Sequence, residues 1–391
     1  MVSKIILILI YIAFISLGLP DGLLGAAWPS MYPELGVSVA FAGYLSMIIA
    51  GGTIISSLFS SKLIQKIGTG PVVVISIVLT CLGLFGFYMG QEYYVLCLFA
   101  VPYGLGAGAI DSALNNYVAT HYKARHMSWL HCFWGVGALT GPYIVGAYLL
   151  NGASWRYGYF TIALIQSALA LILLLTLPLW KKNEKPVKEE KEEQPSPKVS
   201  FRTALSIKGA SFVCLAFFAY CALETTCGLW TASYLTLNRS MSADTAALWA
   251  SLFYIGITSG RFICGFITEK LGDKKLIFIG LSIIFLGIIM LAISQTRVLP
   301  LIGLVIIGIG CAPIYPSLIH LTPLKFGKEN SQTLIGIEMA SAYIGSTFMP
   351  PLFGLLADNV DILYFPYWLL FFAVLLGVFL FFLFFFSQKS R

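Results

Sequence analysis

The sequence predicts an all-α polytopic membrane protein, with twelve transmembrane helices in two six-helix, pseudo-symmetric halves. Three observations carry that prediction. Twelve apolar segments are each long enough to cross a bilayer, whose core needs roughly 20 mostly apolar residues per helix. One charged stretch, Lys181–Lys208, divides them six and six. Residue patterns of the first half also recur in the second at a nearly constant offset. The domain organisation read from this is an N-terminal half over 1–180, a charged linker over 181–208 and a C-terminal half over 209–391.

The first six segments are 5–28, 41–64, 71–90, 93–118, 127–150 and 157–180. Lys4, an apolar run and then Gly25-Ala26-Ala27 imitate a secretory signal. The run is longer than a signal core, and eleven similar segments follow, so it reads as the first helix. Pro20 within it loosens the helix beside Asp21 and frees backbone groups. The linker KKNEKPVKEEKEEQPSPKVS has no apolar periodicity and reads as a solvated tether. The last six segments are 210–236, 244–268, 275–294, 298–321, 332–356 and 363–387, the last ending in a Phe-rich, lipid-facing run.

Composition agrees. The chain is 58% hydrophobic and 10% charged, where a soluble domain carries about 25% charged residues. The net charge of +7 follows topology and does not point to nucleic acid. With the N-terminus in the cytoplasm, 20 Lys/Arg lie in cytoplasmic loops and tails, and only Arg156, Arg239 and Arg297 lie outside. That bias puts both termini in the cytoplasm of a multi-pass protein of the cytoplasmic membrane. The eight cysteines all fall inside apolar segments, and no His/Cys spacing suits a metal. Neither a cofactor nor a metal is expected, and chemistry on a substrate is not expected. No phosphate-binding Gly-rich loop is present, so ATP-driven transport is not expected.

The repeat pairs Asp21-x-x-x-Gly25 with Glu224-x-x-x-Gly228 at an offset of 203. It pairs Gly104-x-Gly106 with Gly308-x-Gly310 at 204, and Gly137, Pro142 and Gly146 with Gly345, Pro350 and Gly354 at 208. Duplicated halves with a midplane site between them are the build of alternating-access transporters. The glycines themselves read first as close-packing positions.

Six ionisable residues lie well inside apolar segments: Asp21, Asp111, His131, Glu224, Arg261 and Glu338. A charge there costs about 2.5–3.5 kcal/mol even on the lenient insertion scale, so each should face the interior, pair, or be neutral. Counting 1.5 Å per residue puts Asp21 roughly 7 Å to the outer side and Glu224 near the centre. Either carboxyl is a candidate for coupling proton movement to substrate movement, and the plainer role is a hydrogen bond to a neighbouring helix. Asp111, Asn115 and His131 form a second level, roughly 9–11 Å to the inner side. Asp111 and Asn115 share a helix face, and His131 is within reach of Asp111 by way of a short loop. Such a set relays protons, binds hydroxyls or locks two helices together. Arg261 and Glu338, roughly 8–9 Å to the inner side, have equal depth and opposite charge, which predicts a gating or structural ion pair. Trp28, Trp134, Trp230, Tyr254 and Tyr315 lie near these polar levels. Acid, amide and aromatic side chains with few cations suit a neutral polyol better than an anion.

The whole chain resembles the major facilitator superfamily, and within it the fucose–galactose–glucose:proton symporter, or fucose permease, family. The stretches that carry the likeness are Gly104-x-Gly106-x-Gly108-x-x-Asp111-x-x-x-Asn115, His131-x-x-x-Gly135-x-Gly137-Ala138-x-x-Gly141-Pro142, Glu224-x-x-x-Gly228-x-Trp230 and Ser259-Gly260-Arg261-Phe262. The resemblance implies alternating access and proton-coupled sugar uptake, with Asp21 and Asp111 at the positions of the family's functional acids. The superfamily's loop signature between helices 2 and 3 is degraded here to Ser61–Gly70, and Gly265–Lys275 keeps more of it. Gly137-x-x-x-Gly141-Pro142 also partly matches drug:proton antiporters.

The expected function is therefore proton-coupled uptake of a neutral monosaccharide by a monomer whose partners are the sugar, protons and the bilayer. The alternatives are an efflux antiporter for hydrophobic compounds, a sugar uniporter, sodium coupling, or a non-transporting sensor.

Overall fold

Two proline-linked breaks set the shape of the helices that matter most. In the computed structural model, which describes residues 2–122, 124–183, 206–293, 296 and 298–388, helix α1 runs as Val2–Gly18 and then Leu23–Glu34. Pro20 lacks an N–H, so the turn between them is closed by short bonds such as Asp21 N–H to Gly18 O. The carbonyl this frees, Ser16 O one turn back, accepts from the Gln166 amide at 2.8 Å, and the buried Tyr103 hydroxyl ties the break by donating to Pro20 O at 2.7 Å. Helix α10 breaks in the same way before Pro313, into Val298–Cys311 and Ile314–Phe326. There the Tyr220 hydroxyl donates to Cys311 O at 3.1 Å. A carbonyl released inside a membrane needs such a partner. The breaks do not follow the repeat: α1 corresponds to the unbroken helix Ala210–Leu237, and α10 to the unbroken helix Tyr93–His121.

The other membrane helices are α2 (Phe41–Ile67), α3 (Thr69–Met89), α4 (Tyr93–His121), α5 (Ala124–Leu150) and α6 (Arg156–Leu175, extended by Leu177–Asn183). After the linker come α7 (Ala210–Leu237), α8 (Ala243–Leu271), α9 (Asp273–Ile293), α11 (Lys328–Asn359) and α12 (Phe365–Gln388). Among the described residues, eleven spans are long and apolar enough to cross a membrane. The remaining helix, α11, is 32 residues long and carries Glu338 in its first third. Helix α1 reaches Glu34, beyond the expected 28, because Pro29 and Pro33 are accommodated within it. Most of the charged linker lies outside the described residues.

The repeated glycines do the same work in both halves. Gly104 of α4 lies against the Ile49 backbone of α2, and Gly106 against Ser76 of α3. Their repeat partners in α10 lie against Phe253 of α8 and Gly280 of α9. Gly137 packs α5 on Ile15 of α1, as Gly345 packs α11 on Phe218 of α7. Any side chain at these positions would collide with a neighbouring backbone, so they are packing positions.

The two halves meet along α1–α7, α2–α11 and α5–α8, and the contact is uneven. At the distal face, away from the chain ends, a methyl on Gly25 would lie 2.6 Å from Gly228 O, Gly146 abuts Leu248, and Gly354 abuts Trp230 and Ala40 O. One hydrophobic core, which includes Leu23, Trp28 and Trp230, runs through this layer from half to half. Towards the terminus face the N-terminal half keeps a separate core, with Ile10, Val73, Leu114 and Trp180. There a side chain added at Gly265 of α8 or Gly336 of α11 would meet none of the described residues within 4 Å. The bundle is closed at the distal face and parted at the terminus face.

Candidate functional site

The break in α1 places Asp21 deep in the bundle, yet its side chain is exposed, because it faces the space where the halves part. Trp134 of α5 donates its indole N–H to Asp21 Oδ2 at 2.6 Å. The same indole carries the Arg261 guanidinium of α8, 4.9 Å from its ring centroid. Arg261 in turn faces Glu224 of α7, Nη2 to Oε1 3.7 Å. That separation is an ion pair without hydrogen-bond geometry. Asp21, Trp134, Arg261 and Glu224 thus form one continuous polar path from the first half to the second.

One helical turn or more towards the terminus face, the Asn115 amide donates to Asp111 Oδ1 at 3.0 Å, as their shared face requires. Asp111 acts electrostatically on Asp21, and on Tyr315 and Tyr343 of the opposite half. Tyr315 spends its hydroxyl on a weak acceptor, Met339 Sδ at 3.0 Å, and lays its ring against Phe217. Tyr254 is buried between Gly22 of α1 and Gly228 of α7, roofing the space on its distal side.

Three sequence expectations are corrected. Arg261 does not pair with Glu338. Glu338 is fully buried, points towards α10 and accepts from the Thr322 hydroxyl at 2.7 Å. Equal depth was the basis for pairing them, but depth does not say which face of a helix a residue occupies, and the long Arg261 side chain reaches up to Glu224. His131 makes no hydrogen bond with Asp111 among the described residues. Its ring sits edge-on to Phe14 at 6.1 Å, and Arg261 is its charged neighbour. Trp230 lies outside the open space. It is fully buried, with its N–H on Pro350 O at 2.9 Å and its ring against Phe353. Trp28 is likewise buried, donating to Val39 O.

Asp21, Asp111, Asn115, His131, Trp134, Glu224, Arg261 and Tyr315 all keep some exposure in mid-bundle. Sequence reasoning did not find the Trp134–Asp21 bond, the Tyr103 partner of Pro20, or Tyr343. A tryptophan N–H inside a membrane needs an acceptor, and that signal was available for Trp134. Among the described residues three carboxyls, Asp21, Asp111 and Glu224, border this space with one guanidinium, Arg261, which faces Glu224. No group of three or more His, Cys, Asp or Glu arranged for a metal occurs among the described residues.

The family model of the Major Facilitator Superfamily matches residues 10–236 and 212–391. The chain belongs to the major facilitator superfamily. Similarity to a glucose/mannose transporter of Bacillus subtilis amounts to 23% identity over 322 residues, 80% of this chain and 76% of that protein. The nucleoside transporter NupG shares the fold at a TM-score of 0.76, with 15% identity over 95% of this chain and 97% of that one. The E. coli fucose:proton symporter FucP shares it at 0.63, with 19% identity over 97% and 98%. In this superfamily member the better-preserved loop signature, Gly265–Lys275, turns at Gly272 with φ +74°. It holds Asp273 within 2.6 Å of His320 Nδ1. The antiporter-like glycines have a packing role: Gly137 and Gly141 both lie against the α1 backbone, at Ile15 and Leu19.

Proposed function

We propose that this superfamily transporter takes up a neutral monosaccharide together with protons, by alternating access, as a monomer. In this reading both termini are cytoplasmic and the protein lies in the cytoplasmic membrane. The observation that carries the reading is the Asp21–Trp134–Arg261–Glu224 path between the halves. Its one guanidinium already faces a carboxylate, so an anionic substrate would compete with Glu224 for it. An uncharged polyol meets what remains: the Trp134 and Tyr315 rings for its faces, and Asp21, Asp111 and Asn115 for its hydroxyls. Intramembrane acids in such a space are the usual carriers of coupled protons. Asp21 touches substrate in this scheme and, through Trp134, the face on which Arg261 rests. Protonation of Asp21 would weaken its hold on Trp134 and loosen the path between the halves.

With cytoplasmic termini, the parted face opens inward and the distal seal faces out. Substrate would be released from this state. The relatives named above move hexoses, nucleosides and fucose according to their names, all compounds that carry a sugar ring.

The test is proton flux in proteoliposomes with a pH-sensitive dye, challenged with monosaccharides one at a time. External alkalinisation on adding one sugar, lost in Asp21→Asn and Glu224→Gln, is the expected result. Silence to every sugar with a response to lipophilic cations would replace uptake by efflux. Sugar exchange without proton movement would reduce the protein to a uniporter.

A further inference from the structure

A second polar cluster, remote from the transport path, lies at the terminus face of α9, α10 and α12. Lys274, in the first turn of α9, and Lys325, in the last turn of α10, both aim their ammonium groups at the Phe384 ring of α12. The distances from Nζ to the ring centroid are 5.1 and 4.3 Å. Lys325 is held there by a hydrogen bond to Leu383 O at 2.7 Å. Two like charges on one ring repel. The nearest acid in sequence, Asp273, is buried and engaged by His320. A cation–π contact offsets part of the repulsion, and an anion between the two lysines would offset more.

What lies next to the pair says which anion. Phe278 packs on Phe384, with ring centroids 5.5 Å apart. From Phe278 a shallow, open groove runs along the surface of α9, lined by Ile279, Ser282, Ile283 and Leu286 of that one helix. These positions recur every three or four residues and form one stripe of the helix, continued at the terminus face by the exposed Lys275. From 274 to 286 the helix rises about 18 Å, close to the depth of one leaflet of a bilayer core about 30 Å thick. Cationic end and apolar groove are thus in the order, and at the depth, of a phospholipid headgroup and its chain.

We propose that α9, α10 and α12 form a binding site for an acidic phospholipid, its phosphate between Lys274 and Lys325 and one acyl chain along the α9 groove. A soluble phosphate would use the lysines and leave the groove unfilled. The last turns of α2 offer a comparison within the chain: Lys62 lies over Phe59 there at 5.9 Å, as a single cation on its ring.

The experiment is native mass spectrometry of the full chain in detergent, titrated with phosphatidylglycerol, with phosphatidylcholine of the same chains, or with glycerol 3-phosphate. Each lysine near a membrane surface is worth about 1 kcal/mol towards an acidic lipid, so Lys274→Gln with Lys325→Gln should weaken phosphatidylglycerol binding about 10- to 30-fold. Ser282→Trp, which fills the groove and leaves both lysines in place, should also weaken it several-fold. Lys62→Gln with Lys66→Gln should change nothing. Equal retention of phosphatidylcholine and phosphatidylglycerol by the unmodified protein would overturn the proposal. So would lipid retention by both the lysine and the Ser282→Trp variants, or binding of glycerol 3-phosphate as strong as that of the lipid.

Discussion

The Arg261 guanidinium rests on the Trp134 ring, 4.9 Å from its centroid, and this contact joins α5 of one half to α8 of the other. Each partner is committed on its far side, Trp134 to Asp21 and Arg261 to Glu224. A change at either acid is therefore transmitted to the contact between the halves.

Trp134→Phe separates the two bonds of the indole. The ring for Arg261 remains and the N–H for Asp21 is lost. Sugar exchange should persist, while accumulation against a gradient should fall at least about tenfold, since a charge-assisted hydrogen bond is worth about 1.5–3 kcal/mol. Trp134→Ala removes the cation–π contact as well and should lower exchange too. Equal uptake by Trp134→Phe and the parent protein would remove the Asp21 bond from the coupling scheme.

Arg261→Ala strands Glu224, and removing one partner of a buried pair costs about 3–5 kcal/mol. The 3.7 Å separation and side-chain exposures of 17% and 18% place this pair at or below the low end of that range. Thermal unfolding in detergent should show a loss that Glu224→Gln reverses in the double variant. Glu338→Gln should not reverse it, because Glu338 faces Thr322. Rescue by Glu338→Gln would restore the pairing that depth alone suggests.

Thr322→Val should destabilise by about 1–3 kcal/mol, the cost of leaving a buried acceptor without its donor. Glu338→Gln keeps the acceptor oxygen and should unfold within a few degrees of the parent. A silent Thr322→Val would mean that the 2.7 Å bond contributes little.

Gly25→Leu places a side chain against Gly228 O and the Leu229 backbone, the seam of the distal seal. The halves should then fail to close there, with each half still folded. A cysteine introduced at the buried Ala40 should become reactive to an impermeant maleimide, and transport should stop. Gly104→Leu, whose collision with Ile49 lies within one half, should instead lower the unfolding temperature. Ala40 labelling unchanged by Gly25→Leu would show that the seal lies elsewhere.

The sequence by itself determined the helices, the membrane and the polar inventory. Apolar length is a one-dimensional property, and so is the offset that pairs Gly104-x-Gly106 with Gly308-x-Gly310. Both glycine pairs pack against the corresponding helices of their own halves. The burial cost of a charge in a membrane likewise singled out Asp21, Asp111, Glu224, Arg261 and Glu338 before any fold was known. Only the tertiary structure decided who meets whom. A count along a helix yields depth but not azimuth, so Arg261 and Glu338 matched in depth while facing different neighbours. Trp230 and Trp134 both lie near polar levels, yet one donates to a backbone carbonyl inside the packed seam and the other to Asp21 in the open space. Rotation of each helix about its axis, set by side-chain packing across the two halves, is the quantity that apolar periodicity leaves undefined when nearly every face is apolar.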